Sequence, residues 1–394
     1  MCKTAFIMIL FYTGAYAQNS WETYGYAKYL FSITDNALIN KKSLTDHQVH
    51  LRLNNRWYPS DNFYAGFELR ARGFYGGTVE SLTPFKSFVI SDYPYTDLDA
   101  VFWDKKSSFA YAQIDRLFMD YTAGSWQFTL GRQRIAWGTS WVWNIVDLFN
   151  PQSVLDFDYE EMPGSDALRI QYYTAAIGRL ELAVKPSDNK FDRTAALLWL
   201  YNYQDYDIFF IAAWHQNRKL FGTAFAGDIE GAGFRGEFKW TEQISNKRLE
   251  GYLLPDFLGQ NFSEDESTNI SAVLSLDYTF SNSFYLHSEA MYNSIGKTKN
   301  LALYTQQAQI AGLLSPAHLS LFFETAYDIH PLVRGNFFVL HNPSDNSAIW
   351  VPSLSWSVVT NLDLYVIGLI STGKTSSEFG SYGKSLFFRT KYSF

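Results

Sequence analysis

The feature that most constrains this chain is a two-residue alternation of apolar and polar side chains that recurs along almost its whole length. In 62–74, Phe63, Ala65, Phe67 and Leu69 alternate with Tyr64, Glu68, Arg70 and Arg72. In 232–241, Ala232, Phe234, Phe238 and Trp240 alternate with Arg235, Glu237 and Lys239; in 177–185, Leu180, Leu182 and Val184 oppose Arg179, Glu181 and Lys185. Successive side chains of a strand point to opposite faces, so each segment has one oily face and one wet face. A charge facing lipid at mid-bilayer would cost about 2–4 kcal/mol, so the charged face meets water.

Composition says what the oily face meets. The 394 residues include 12 Trp, 27 Tyr and 33 Phe, yet only 18% are charged and the mean hydropathy is −0.16. No compact soluble core needs so many aromatics, and no apolar run reaches the roughly 18 residues of a membrane helix. The combination predicts an all-β, transmembrane, antiparallel β-barrel with aromatics gathered at two interfaces. A soluble propeller or sandwich would also alternate, but with strands shorter than the segments here, which are close to the roughly 9–11 residues of a tilted span.

Connector lengths support this. The junctions at Tyr58–Asn62, Thr122–Ser125, Ala175–Gly178, Gln204–Asp205, Ser281–Asn282, Ile329–Pro331 and Asn361 are short, whereas 75–107, 138–165, 242–267, 296–316 and 372–383 are long. Short turns on one side and long loops on the other predict about 18 strands with both termini periplasmic, or 16 if 21–31 stays outside the membrane.

The ends predict the compartment. Lys3, the apolar stretch Ala5–Tyr12 and the small residues Ala15 and Ala17 read as a signal peptide over 1–17, leaving 18–394 as the barrel. The single cysteine, Cys2, leaves with that segment, so no disulfide or thiolate metal site is expected. At the other end Leu386, Phe388, Thr390, Tyr392 and Phe394 share one face against Ser385, Arg389, Lys391 and Ser393. This pattern resembles the C-terminal signal by which the barrel assembly machinery recognises its clients. The predicted location is the outer membrane of a Gram-negative cell, in contact with its lipid. A net charge of −7 offers nothing to nucleic acid.

The wet face carries an excess of arginine. Arg52, Arg56, Arg70, Arg72, Arg116, Arg132, Arg134, Arg169, Arg179, Arg235, Arg334 and Arg389 fall inward, with Lys185, Lys239 and Lys391, against Glu68, Glu181, Glu237, Asp277, Glu289 and Glu324. A cationic wall around water concentrates anions. The densest constellation is Gly131-Arg132-Gln133-Arg134-Ile135-Ala136-Trp137-Gly138, followed by loop 138–165 with Trp141, Trp143, Asp147, Asp156, Asp158, Glu160 and Glu161. Such a loop is too apolar for solvent and too charged for lipid, which predicts that it folds inward over the lumen, its acids pairing Arg132, Arg134 and Arg169.

GRQRIAWG, DLFNPQSVLDFDYEE and GSDALRIQY, within about residues 109–185, resemble the central motif of alginate-export-type outer-membrane porins and their uncharacterised relatives. The resemblance implies an 18-stranded barrel whose arginine-rich, loop-constricted lumen passes an anionic polysaccharide or small anions. Carried over, Arg132, Arg134 and Arg169 would line the constriction, and Trp137, Trp141 and Trp143 would hold the loop or stack on sugar rings.

Enzymatic motifs are absent or misplaced. Gly368–Thr375 spells a phosphate-binding loop, but no helix pattern follows it to hold phosphate. There is no G-x-S-x-G or H-E-x-x-H, and His287, Glu289 and Asn293 share an inward face as lumenal polar residues. The sequence thus reads as a passive channel without cofactor, with a surface-adhesive barrel of occluded lumen as the alternative.

Overall fold

The computed structural model describes residues 20–35, 43–82, 85–90, 95–150, 161–174, 177–255, 261–262 and 268–394. The alternating segments form antiparallel strands of one sheet, each hydrogen-bonded to its neighbour in sequence. Strand Trp21–Asp35 pairs on one side with Ser43–Ser60 and on the other with Lys384–Ser393, which closes the sheet into a barrel. Gly25 and Phe394 exchange both backbone hydrogen bonds, at 2.9 and 3.0 Å, so the terminal aromatic residue completes the seam. Closure leaves no free edge in hydrocarbon, where an unpaired peptide group would cost several kcal/mol.

Eighteen strands make the circuit. The nineteenth, Asp99–Lys105, is an addition. Strand Trp126–Gln133 pairs with Ser108–Ala123 only as far as Arg132 opposite Leu117, where the chain turns away from the wall. Above that point Asp99–Lys105 takes its place, pairing from Gln113 to Ser108.

One end of the barrel carries tight turns. Gln204 and Asp205 (φ 47° and 66°) form a two-residue hairpin turn in the left-handed region, whose twist matches that of the strands. The aromatics cluster near this end on the outer face: Trp21 stacks on Trp57 at 5.6 Å and Trp126 lies 4.6 Å from Tyr172. Between the rims the outer face shows Leu117, Met119, Leu130, Leu182 and Leu197, all exposed, as a lipid-facing wall requires. At the opposite end, helix Thr305–Ala311 packs with Ile244, Leu249, Phe262 and Ile295 into a small core of its own. No helix among the described residues is long and apolar enough to cross a membrane.

Candidate permeation path and the loop inside it

The lumen is divided by what its wall presents. On strands Trp21–Asp35, Ser43–Ser60, Phe63–Gly76 and Lys384–Ser393 the register sets Lys391 beside Lys28, Lys28 beside His50, His50 beside Arg72, and Arg52 beside Arg70. These side chains form a cationic arc. Like charges this close need compensation, and the structure supplies it in two forms. Arg52 donates to Asp115 at 2.7 Å, to Asn54 at 2.9 Å and to Glu68, which also lies 3.4 Å from Arg116. Aromatic faces contribute as well: the ammonium groups of Lys28 and Lys391 sit 4.8 and 4.9 Å from the Tyr26 ring, and the Arg389 guanidinium 3.9 Å from that of Tyr365.

The other half of the inner wall carries a band of apolar residues among its polar ones. Ala183, Leu198, Ile211, Leu220, Val273, Met291, Phe322, Leu340 and Ile349 point inward and are buried under Ile135, Trp137, Trp143, Ile145, Val146, Leu148 and Phe149 of the loop that follows strand Trp126–Gln133. The polar inner face expected from the alternation is thus interrupted here by an apolar band, while Glu181, Glu237, Lys239, His287 and Glu289 remain inward on the same strands. Burying each side chain of the band contributes about 1.5–3 kcal/mol, so the loop is held in the lumen by a hydrophobic core of its own. A signal existed in the sequence. The segments TAALLWLYNY (194–203) and IFFIAAW (208–214) carry apolar residues on both faces, unlike the charged alternation elsewhere.

Two wall carboxylates complete the attachment. Glu237 accepts from the backbone N–H groups of Thr139 (2.7 Å), Ser140 (2.8 Å) and Val146 (3.2 Å). Glu289 accepts from those of Trp141 (3.3 Å), Val142 (3.3 Å) and Trp143 (2.6 Å). Loop amides buried without partners would each be costly, and hydrogen bonds to a charged acceptor contribute about 1.5–3 kcal/mol. Gly138 (φ 99°) is required where the chain passes this anchor, because a Cβ there would lie 2.0 Å from Asn144 and 2.7 Å from Glu237. His287 stands between Glu289 (3.5 Å) and Glu324 (3.4 Å), with the Ser275 hydroxyl 3.1 Å from its ring. Ser275 has no accessible surface, so this trio braces Glu289 and offers no nucleophile.

The arginines of the sequence motif occupy unequal positions. Arg132 is buried and committed to the wall: it donates to Asp166 at 2.8 and 3.1 Å, to the Ile114 carbonyl at 2.9 Å and to that of Thr96. Its partner is thus a strand residue following the loop, and it ties the added strand's approach to the barrel instead of lining open lumen. Arg169 likewise pairs with a wall acid, Glu181, at 2.6 and 3.0 Å; Arg179 lies 3.2 Å from the same carboxylate. Trp137, fully buried, donates its indole N–H to Glu181 at 2.8 Å and meets Phe149 edge-on, so it holds the loop. Trp141 is 65% exposed and lies 5.0 Å from the Arg235 guanidinium, which in turn pairs with Asp277. Arg134 is exposed, near the Met162 sulfur. Arg70 donates to Gln113, Arg72 lies 4.9 Å from the Phe74 ring, and Arg116 donates to the Met162 carbonyl at 3.1 Å.

Of the loop acids, Glu161 accepts from the Tyr26 hydroxyl at 2.7 Å and lies 3.8 Å from Arg52; Asp156, Asp158 and Glu160 lie outside the described residues. The pairing of loop acids with Arg132, Arg134 and Arg169 is not what the described residues show. The stronger attachment runs the other way, from wall carboxylates to loop amides. Sequence alone gave Glu237 and Glu289 only as minor opposing charges.

A closed 18-stranded antiparallel barrel with a loop folded into its lumen is the architecture of the outer-membrane porins. Among solved structures the chain is similar to OccAB3 of Acinetobacter baumannii, with a TM-score of 0.56 and 10% identity over 95% of this chain and 99% of that one. It is likewise similar to OccD3 (OpdP) of Pseudomonas aeruginosa (TM-score 0.55, 10% identity, 94% and 91% covered) and to the outer membrane protein opdK of the same organism (0.55, 7%, 95% and 99%). No protein-family profile and no curated protein sequence matches the chain. At these identities the likeness establishes the fold.

Proposed function

We propose that this protein is a passive outer-membrane channel that admits small, predominantly anionic solutes between the folded loop and the cationic arc. The observation that carries this reading is the division of the lumen: one side is filled by a loop anchored on Glu237 and Glu289, and the other has a wall rich in cations, where Lys28, Arg52, Arg70 and Arg389 are buried and Arg72 and Lys391 keep partial exposure. Cations on a low-dielectric wall raise the local concentration of anions and lower the barrier to their passage. Export through the signal sequence 1–17 and insertion by the barrel assembly machinery, read through the Phe394 terminus, would bring the chain to its place. The lumen half filled by side chains favours small solutes over an anionic polysaccharide, although the 109–185 motif resembles polymer exporters. On this reading Arg134, Arg169, Arg179, Arg235 and Trp141 border the path, while Arg132 and Trp137 shape it.

Planar-bilayer recording tests it. Under a KCl gradient the reversal potential is expected to show chloride preference, diminished by Arg72→Met and Lys391→Met. Cation preference in the unaltered protein would remove the anionic cargo, and a silent bilayer would leave the adhesive barrel in its place.

A further inference from the structure

A second site lies apart from the cationic arc. A cavity of about 600 Å³ is bounded by Val142–Phe149 of the folded loop, by helix Thr305–Ala311 with the segment after it, by Glu378–Tyr382, and by the strand ends bearing Lys185, His215 and Lys239. None of the arc cations borders it. Its volume falls within the range of small-molecule sites, about 300–1,000 Å³.

The polar groups bordering this cavity are of both signs. Lys185 and Lys239 face it together with Asp147, Glu378 and Asp192, the last paired with Arg248 at 3.0 Å, and Gln216 and Gln309 add amides. Lys239 spends one donor on the Gly312 carbonyl (3.2 Å), and Glu378 accepts from Ser315 (2.6 Å) and Asn342 (2.7 Å). Asp147 is bound into the loop. Its Oδ1 accepts from the N–H groups of Phe149 and Asn150, both at 3.2 Å, while its Oδ2 is buried with no hydrogen-bond partner among the described residues. That oxygen exposes essentially no surface to the cavity, so recognition falls to Lys185, Lys239 and the amides. Burial pushes the Asp147 and Glu378 carboxyls up to about 7.

Ligand classes can be sorted against this lining. A simple anion meets three carboxyls and a simple cation meets two lysines; a purely apolar molecule would strip water from all five. Hydroxyl groups both donate and accept, and so satisfy ammonium and carboxyl alike. The C–H face of a sugar ring would find apolar contact on Phe379 and Leu340. We infer that this cavity is a binding site for a neutral mono- or disaccharide, captured at the long-loop mouth of the barrel.

The test is calorimetric titration of the full chain, purified in a sugar-free amine-oxide detergent, with maltose and with sucrose. Saturable binding in the millimolar range is expected, weakened about tenfold or more by Lys185→Met and by Gln309→Trp. Gln309 is exposed on its helix, so its replacement fills the cavity without touching the loop anchors, and circular dichroism should be unchanged. Absence of saturable heat with either sugar, equal binding by both variants, or binding of glycine or benzoate in preference to sugar would each overturn the assignment. Binding is read without conductance. A silent bilayer with intact sugar binding therefore overturns the channel alone, and conductance without sugar binding overturns this site alone.

Discussion

Strands Trp21–Asp35, Ser43–Ser60, Phe63–Gly76 and Lys384–Ser393 turn long cations inward, whereas strands from Arg179–Lys185 round to Ser347–Val359 set Ala, Leu, Ile, Val, Met and Phe among inward polar residues such as Glu181, Glu237, Lys239 and Glu289. Both halves show the outer face expected of lipid contact, so the bilayer alone does not explain the difference. The second half faces a piece of its own chain. Where a loop covers the wall, apolar packing and two amide-binding glutamates replace solvation. In the cationic half aromatic faces, Glu68, Asp115 and the loop's Glu161 are among the groups that meet the charge. A barrel of this width can hold a hydrophobic core inside its wall.

The sharpest way to break that division is to detach the loop. Replacing Glu237 and Glu289 together by Ala removes the acceptors of six backbone N–H bonds, each worth about 1.5–3 kcal/mol with a charged partner. Single-channel conductance should rise several-fold, with frequent closures as the freed loop moves; conductance equal to that of the parent would show that the loop is not held this way. Arg132→Ala comes next. It strands Asp166, and breaking a buried pair typically costs about 3–5 kcal/mol, so the heat-modified gel transition should move to lower temperature. Because Arg132 belongs to the wall, selectivity should not move with it; a change in reversal potential would return Arg132 to the lumen.

A smaller effect concerns pH. Asp147 faces the Arg134 and Glu237 charges and the Phe149 and Asn150 amides, and Glu378 faces Asp345, Ser315 and Asn342; burial is the main cause that raises both to about 7. A carboxyl whose folded-state value lies above the ordinary one near 4 holds its proton more tightly when folded. Its stabilising contribution is complete below about pH 4 and lost as pH rises through 7. Hydrogen exchange of the Val146–Asn150 amides, corrected for intrinsic rate, should therefore accelerate from pH 5 to pH 8, and Asp147→Asn should flatten that dependence. Accelerated exchange toward acid would reverse the sign and dismiss the explanation. Smallest of all is Trp141→Ala: an exposed ring beside Arg235 contributes about 0.5–1 kcal/mol, so stability should shift only slightly and the loop should remain docked.

The wall was legible from the chain because alternation is local. Phe63 to Leu69, or Leu386 to Phe394, reveal a strand and its two faces without reference to anything distant, and Gly131 (φ 114°) and Gly138 mark where the chain leaves that wall. The inward loop was also legible in outline from its mixture of tryptophans and acids. Its attachment was not. Arg132 stands among arginines that read alike, yet the register that sets it opposite Leu117 and beside Asp166 withdraws it into the wall, while Arg72 stays half-buried beside the lumen.

The sequence by itself determined a barrel with lipid outside and polar groups within, the positions of its tight turns, and a cationic excess on particular strands. Only the tertiary structure decided which half of the interior is filled. That outcome depends on Glu237 and Glu289, far apart in the chain, converging on the amides of one short loop, and on Leu198, Ile211, Leu220, Met291 and Phe322 meeting that loop at the same depth. Such convergence is set by strand register around a closed circuit, a long-range quantity that the pattern of any single strand does not contain.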